Sequence, residues 1–210
     1  MTTKKNILYL VHRVPYPPDK GDRIRTFNLL RFLARRANVY VACLADEPVS
    51  QDTVATIQEL TANLAIVPIG RWSRCVRALA SAASGRTVSE GAFSSPGLQD
   101  VVRRWSGEFR FHAVLASSSS MVPYLRIPEL ADVPAVVDLI DVDSQKWLDY
   151  AASSRWPRAW LYRMEGRRLR QLERGLPEWA QAVTLVSDAE VDLYREFCLP
   201  GQIRAVPNGV

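Results

Sequence analysis

The sequence predicts an α/β protein built on a doubly wound, Rossmann-like parallel sheet with helices on both faces. Three observations carry that prediction. Short β-branched apolar runs alternate with amphipathic stretches along the whole chain. The runs are apolar at nearly every position, as in strands covered on both faces, rather than at every second one. The alternation continues through 210 residues with no internal linker, repeat or low-complexity tract, which fits one large domain.

Taken in order, residues 7–11 (ILYLV) form the first strand, followed by a proline-rich loop over 14–21. Ile24, Phe27, Leu30 and Leu33 recur at helical spacing, predicting a helix over 22–37. A second strand is expected at 39–44, a helix over 51–63 and a third strand at 64–68. Helices over 73–84 and 97–105 are joined by a loop at 85–96. Strands four and five read at 112–116 and 135–140, and a helix carrying Trp147 and Leu148 follows the fifth. From Pro157 a long helical region places Leu161, Met164, Leu169, Leu172 and Leu176 near one face. A sixth strand at 181–186, a helix at 188–197 and a short seventh strand at 203–206 complete the series.

Composition narrows the class. With 48% hydrophobic and 23% charged residues the chain is ordinarily globular, which excludes disorder. Cys43, Cys75 and Cys198 are odd in number and widely spaced, against a disulfide framework or zinc site and in favour of a reducing cytosol. The first apolar run is too short for a signal peptide, and no later stretch is long enough to span a bilayer. A net charge of +5 suggests an anionic neighbour. No RRM, zinc-finger or KH signature is present, so nucleic acid is not expected as a partner.

In a doubly wound sheet, ligands bind beyond the carboxyl ends of the strands. No G-x-G-x-x-G follows the first strand and no G-x-x-x-x-G-K-[ST] occurs, which argues against nicotinamide and Walker-type sites. After strand one, Gly21 precedes a helix N-terminus, a natural anion site, and Arg23 and Arg25 add positive charge there; His12, at the strand's end, is a ligand-contact candidate. After strand four, Ser117 and Ser118 are placed either to cap a helix or to hydrogen-bond a sugar. After strand five, Asp141 and Asp143 stand beside Ser144 and Lys146. Such a pair can shift a pKa, orient a hydroxyl or bind a divalent metal, whereas Asp143 or Ser144 can equally cap the next helix. Two histidines are too few for a His-rich metal site, and His112, at the opposite sheet edge, reads as structural.

Two basic stretches remain. Between Arg71 and Arg86 there are four arginines and no acid, interleaved with Trp72, Val76 and Leu79. Arg71, Trp72, Arg74 and Arg77 are therefore candidates for contact with an anionic membrane surface. Residues 163–174 carry five arginines against Glu165 and Glu173, a milder excess.

The segments YLVHRVPYPPDKGDRIR (9–25), CLADEP (43–48), ASSSS (116–120), VDLIDVDSQKW (137–147) and VPNGV (206–210) resemble family 4 glycosyltransferases. More specifically, the chain resembles the bacterial sugar transferases associated with exosortase (PEP-CTERM) systems and exopolysaccharide clusters, and the likeness runs over essentially the whole chain. The resemblance implies a GT-B enzyme of two facing Rossmann-like domains that transfers a sugar with retention, from a nucleotide-sugar co-substrate and without an obligatory metal or other cofactor. Residues 1–206 would be the acceptor-side domain, and 207–210, with Asn208 and Gly209, the start of the hinge. The donor-binding domain would be absent, and this chain alone inactive. Gly21 with Arg23 and Arg25 would face the donor phosphates or sugar, and Asp141 and Asp143 the reacting centre, where relatives often carry His-Asp or His-Glu. His12, Ser117, Ser118, Ser144 and Lys146 would contact a glycan or lipid-linked acceptor. The implied location is cytoplasmic, on the inner face of the bacterial plasma membrane. The alternative is a stand-alone module binding anionic lipid or polysaccharide.

Overall fold

The computed structural model describes residues 4–208. Its elements run β1 (Asn6–Val11), α1 (Gly21–Ala34), β2 (Asn38–Ala45), α2 (Gln51–Gln58), β3 (Asn63–Pro68), α3 (Arg71–Ala83), α4 (Val88–Ala92), α5 (Pro96–Glu108), β4 (Ala113–Ser117) and α6 (Val122–Leu125). They continue with β5 (Ala135–Ile140), α7 (Asp143–Ser153), α8 (Arg158–Arg174), α9 (Leu176–Trp179), β6 (Ala182–Leu185), α10 (Asp188–Arg195) and β7 (Ile203–Ala205). Seven parallel strands lie in the order β3-β2-β1-β4-β5-β6-β7. The expected fold class is the observed one.

Strand periodicity divides the core in two. Leu8, Leu10, Tyr40, Ala42 and Leu44 point to one face, where α5 adds Leu98, Val102 and Trp105 and α10 adds Val191 and Tyr194. Tyr9, Val11, Val39, Val41 and Cys43 point to the other, against Leu30 of α1 and Ile57 of α2. Each such side chain, fully buried, contributes about 1.5–3 kcal/mol. Because strands are covered on both sides, no polar alternation remains in β1 or β2, and this is why they read as continuous apolar runs.

Two local expectations change. The loop expected at 85–96 contains α4, whose Thr87 and Glu90 form a reciprocal capping box, a T-x-x-E pattern visible in the sequence. The long helix from Pro157 stops at Arg174, and Leu176 opens α9, so the supposed single apolar face is divided: Leu169 and Leu176 are buried while Leu161 is exposed. Among the described residues no helix is long and apolar enough to cross a membrane.

Candidate functional site

The strand order reverses between β1 and its neighbour β4, so the loops after β1, β4 and β5 diverge there and leave a cleft. Its volume is about 460 Å³, and His12, Gly21, Ser118, Asp141, Asp143, Lys146 and Asn208 all border it. Sequence positions more than 190 residues apart thus meet at one sheet edge.

Backbone geometry aims the loops. Ser118 follows β4 with φ 85°, and Ile140 ends β5 with φ 72°. For a β-branched residue that region is costly, and it is tolerated here because packing and hydrogen bonds fix the loop. The β5–β6 register shifts between Asp138 and Ile140, the Val186 amide donates to the Ile140 carbonyl at 2.7 Å, and the chain turns Asp141 into the cleft.

Lys146 sits between the two acids, its Nζ 2.5 Å from Asp141 Oδ2 and 3.9 Å from Asp143 Oδ1. Asp143 also accepts from Ser119 Oγ at 3.1 Å. Burial pushes the Asp143 pKa up, against the opposing pull of Lys146 and Ser119. Burial would lower that of Lys146, but the hydrogen bond and charge of Asp141, with Asp143 behind it, raise it. Neither Asp143 nor Ser144 caps α7 with its side chain. Glu190 accepts instead from the Val142 amide at 2.6 Å and Glu173 from the Ser144 amide at 3.1 Å. Capping from two distant helices leaves Asp143 free to face the cleft.

On the opposite wall, His12 Nε2 lies 3.4 Å from Asp22 Oδ2, and Arg13 Nη1 lies 3.5 Å from the same oxygen. The hydrogen bond from His12 holds the Asp22 carboxyl far below the usual carboxylate range, helped by Arg13 and opposed by burial. His12 Nδ1 is buried and has no hydrogen-bond partner among the described residues. Gly21 begins α1, whose preceding Lys20 makes no side-chain cap, and a Cβ placed on Gly21 would meet only open space. The amino end of α1 therefore opens into the cleft with its positive end exposed.

Several candidate residues turn elsewhere. Arg25 does not face the cleft: it is buried and donates Nε and Nη2 to Asp138 at 2.8 and 2.6 Å. Arg23 pairs with Asp19 and Glu47 beside a different hollow, against the loop after β2. Ser117 is buried and donates to Asp138 at 3.3 Å, and Ser144 is buried against Glu173 and Arg170. Arg25, Ser117 and Ser144 each have a buried ionic partner that satisfies them inside the fold, whereas the acids that hold Arg23 lie at the surface. Arg74 pairs with Asp46 at 3.1 Å and lies 5.3 Å from the Phe93 ring, and Arg77 lines an inner cavity with Ser81 and Tyr124. Only Arg71 and Trp72 of the membrane candidates stand free on the surface. Asn208 is tied down, accepting from Arg25 Nη1 at 3.2 Å and, through its carbonyl, from Asn28 at 3.0 Å. Gly209 lies outside the described residues. His112 accepts at Nδ1 from the Asn6 amide at the far sheet edge.

Sequence reading missed Asp22, Ser119, Glu173 and Glu190. An acid in a helix's first turn signals Asp22 weakly; the others act on residues 24 to 48 positions away, beyond any local pattern.

The glycosyl transferase 4-like domain family matches residues 10–209. No curated protein sequence matches the chain. Among solved structures, a UDP-glucosyltransferase from Polygonum tinctorium that glucosylates indoxyl, complexed with 3,4-dichloroaniline, has a TM-score of 0.56 at 11% identity. The match covers 99% of this chain and 53% of that one. UGT2 of Phytolacca americana, bound to UDP-2-fluoro-glucose and pterostilbene, has a TM-score of 0.55 at 10% identity, covering 99% of this chain and 55% of that one. At such identity the likeness is one of fold, and this chain spans about half the length of either structure.

Proposed function

Because the chain belongs to the glycosyl transferase 4-like domain family, we propose that it is the acceptor-side half of a retaining glycosyltransferase. In this reading a sugar passes from a nucleotide-sugar to a glycan or lipid-linked acceptor, in exopolysaccharide synthesis of the exosortase-associated kind, on the cytoplasmic side of the bacterial membrane. The observation that carries the reading is the cleft itself, where Asp141, Asp143, Lys146, His12 and the open end of α1 converge at the switch point of the sheet.

The roles follow from charge and reach. The amino end of α1 at Gly21 suits the donor's phosphates, since unpaired amides and the helix dipole stabilise negative charge. Asp141 and Asp143 orient the acceptor hydroxyl and stabilise positive charge developing on the sugar, with Lys146 holding the pair in place. His12 and Ser118 border the acceptor's path. Lys146 already occupies the space between the carboxylates, which supports transfer without a bound metal, the nucleotide-sugar being a co-substrate. Residues 207–210 begin the hinge to a donor-binding domain, and the 210-residue chain alone is inactive.

The His12–Asp22 contact favours a second reading, in which His12 accepts the acceptor's proton and configuration inverts. One assay separates them. A two-domain protein containing this chain, given nucleotide-sugars and acceptor, is followed by NMR at the anomeric centre. Retention supports the first reading and inversion the second. Absence of transfer with every donor, or robust turnover by the 210-residue chain alone, would overturn the first.

A further inference from the structure

Helix α3 is turned inside out. Trp72, Val76 and Leu79 form one stripe along it and are 86%, 60% and 72% exposed. Its inner side is polar or small: Ser81 donates to the Thr87 carbonyl at 2.7 Å, and Gly91 of α4 packs directly against Ala78 and Ser81. A helix of a globular domain ordinarily buries its apolar stripe, and among the described residues nothing covers this one.

The neighbouring helix has the matching charge. Arg168 Nη1 donates to the carbonyls of Ala82 and Arg86, each at 2.8 Å, tying α8 to the end of α3. The two acids of α8 are turned inward: Glu165 accepts from the Val88 and Ser89 amides at 2.6 and 2.9 Å, and Glu173 caps α7. The exposed side of α8 therefore carries Arg163, Arg167 and Arg174 with no acid among them, and Arg158 is exposed at its first residue. Trp160 and Leu161 are exposed on the same helix, and Trp156 just before it. The sequence shows five arginines against two glutamates; the fold removes the glutamates from the surface.

We propose that the adjoining outer surfaces of α3 and α8 dock on an anionic phospholipid bilayer. The stripe of α3 is a convex helix row, which offers a protein partner no pocket to fill but suits an interface that yields around it. Tryptophans at the edge of apolar rows, flanked by arginines, match the headgroup level of a bilayer in geometry and charge. The inference goes beyond the transferase reading and does not depend on it. It also moves the contact away from Arg74, which pairs with Asp46, and from Arg77, which turns into a cavity, to Trp72, Val76, Leu79, Arg163 and Arg167.

The test is co-sedimentation of the 210-residue protein with phosphatidylcholine vesicles, with and without about 30 mol % phosphatidylglycerol. Binding to the anionic vesicles is expected, with a blue shift of tryptophan emission and loss at about 0.5 M salt. Trp72→Ser with Leu79→Ser should weaken binding about tenfold or more, and Arg163→Ser with Arg167→Ser about 25-fold, at roughly fivefold per arginine. Arg31→Ser with Arg35→Ser, on α1 and just past its end across the sheet, should leave it unchanged. All six positions are exposed, so far-UV circular dichroism should show folded variants. The proposal is overturned by no binding at low salt, by equal binding to neutral vesicles, or by α3 variants that bind like the parent. Self-association abolished by the same α3 variants, without lipid binding, would assign the face to a second copy of the chain instead.

Discussion

Arg25 grips Asp138 with two parallel hydrogen bonds, and neither side chain reaches solvent. Asp138 also accepts from Thr184 at 2.7 Å and Ser117 at 3.3 Å, while Arg25 Nη1 reaches the Val206 carbonyl and Asn208. One ion pair thus joins α1 to three adjacent strands and to the segment leaving the sheet. Removing either partner strands a buried charge, so Arg25→Ala or Asp138→Ala should each cost about 3–5 kcal/mol in chemical denaturation. Arg25→Lys keeps the charge but loses the fork and should not restore stability. The double replacement Arg25→Met with Asp138→Leu should be milder than either alanine variant.

Asp141 borders the cleft beside Asp143, and its removal would also release Lys146. In a two-domain protein, Asp141→Asn should lower kcat about 100-fold with little change in melting temperature. Unchanged turnover in both Asp141→Asn and Asp143→Asn would remove the pair from the chemistry.

Glu173 supplies a pH signature. Burial pushes its pKa from 4.5 up to about 7, although hydrogen bonds from Ser144 oppose the rise. A carboxyl raised on folding binds its proton more tightly in the native state. Its contribution is then fully present below about pH 4.5 and is lost as the pH climbs through about 7. The loss is on the order of 3 kcal/mol. Glu173→Gln, which cannot ionise, should flatten the unfolding free energy across that window; an unchanged pH slope would exclude Glu173 as its source.

Ser118 holds φ 85° and ψ 146°, a region that glycine enters freely. Ser118→Gly gives up two local bonds, from the Ser120 amide at 3.3 Å and with the Ser120 hydroxyl at 3.0 Å, against the relief of the backbone, and should raise stability by about 1 kcal/mol. If the hydroxyl contacts acceptor, the same variant should raise KM for acceptor while leaving that for donor unchanged. A variant less stable than the parent would show that the loop is unstrained.

Local pattern was enough for the sheet. Apolar runs such as 7–11 and 39–44 carry their burial on both faces in their own composition, and the helices between them follow from 3.6-residue periodicity. Strand ends located His12, Gly21 and Asp141 at the ligand edge for the same reason. The direction in which a polar side chain turns is another matter. Arg23 and Arg25 sit two residues apart on one helix, Ser117 and Ser118 side by side, and nothing local separates a cleft residue from a buried one. Arg25 finds its acid 113 residues away, Ser144 finds Glu173 29 residues away, and Glu165 of α8 leaves its helix face to cap α4. The sequence by itself determined which segments must be buried, because hydrophobic burial depends on composition and period. Only the tertiary structure decided which charges face the cleft, the core or the open surface of α3 and α8, because a buried charge goes wherever the assembled fold offers it a partner.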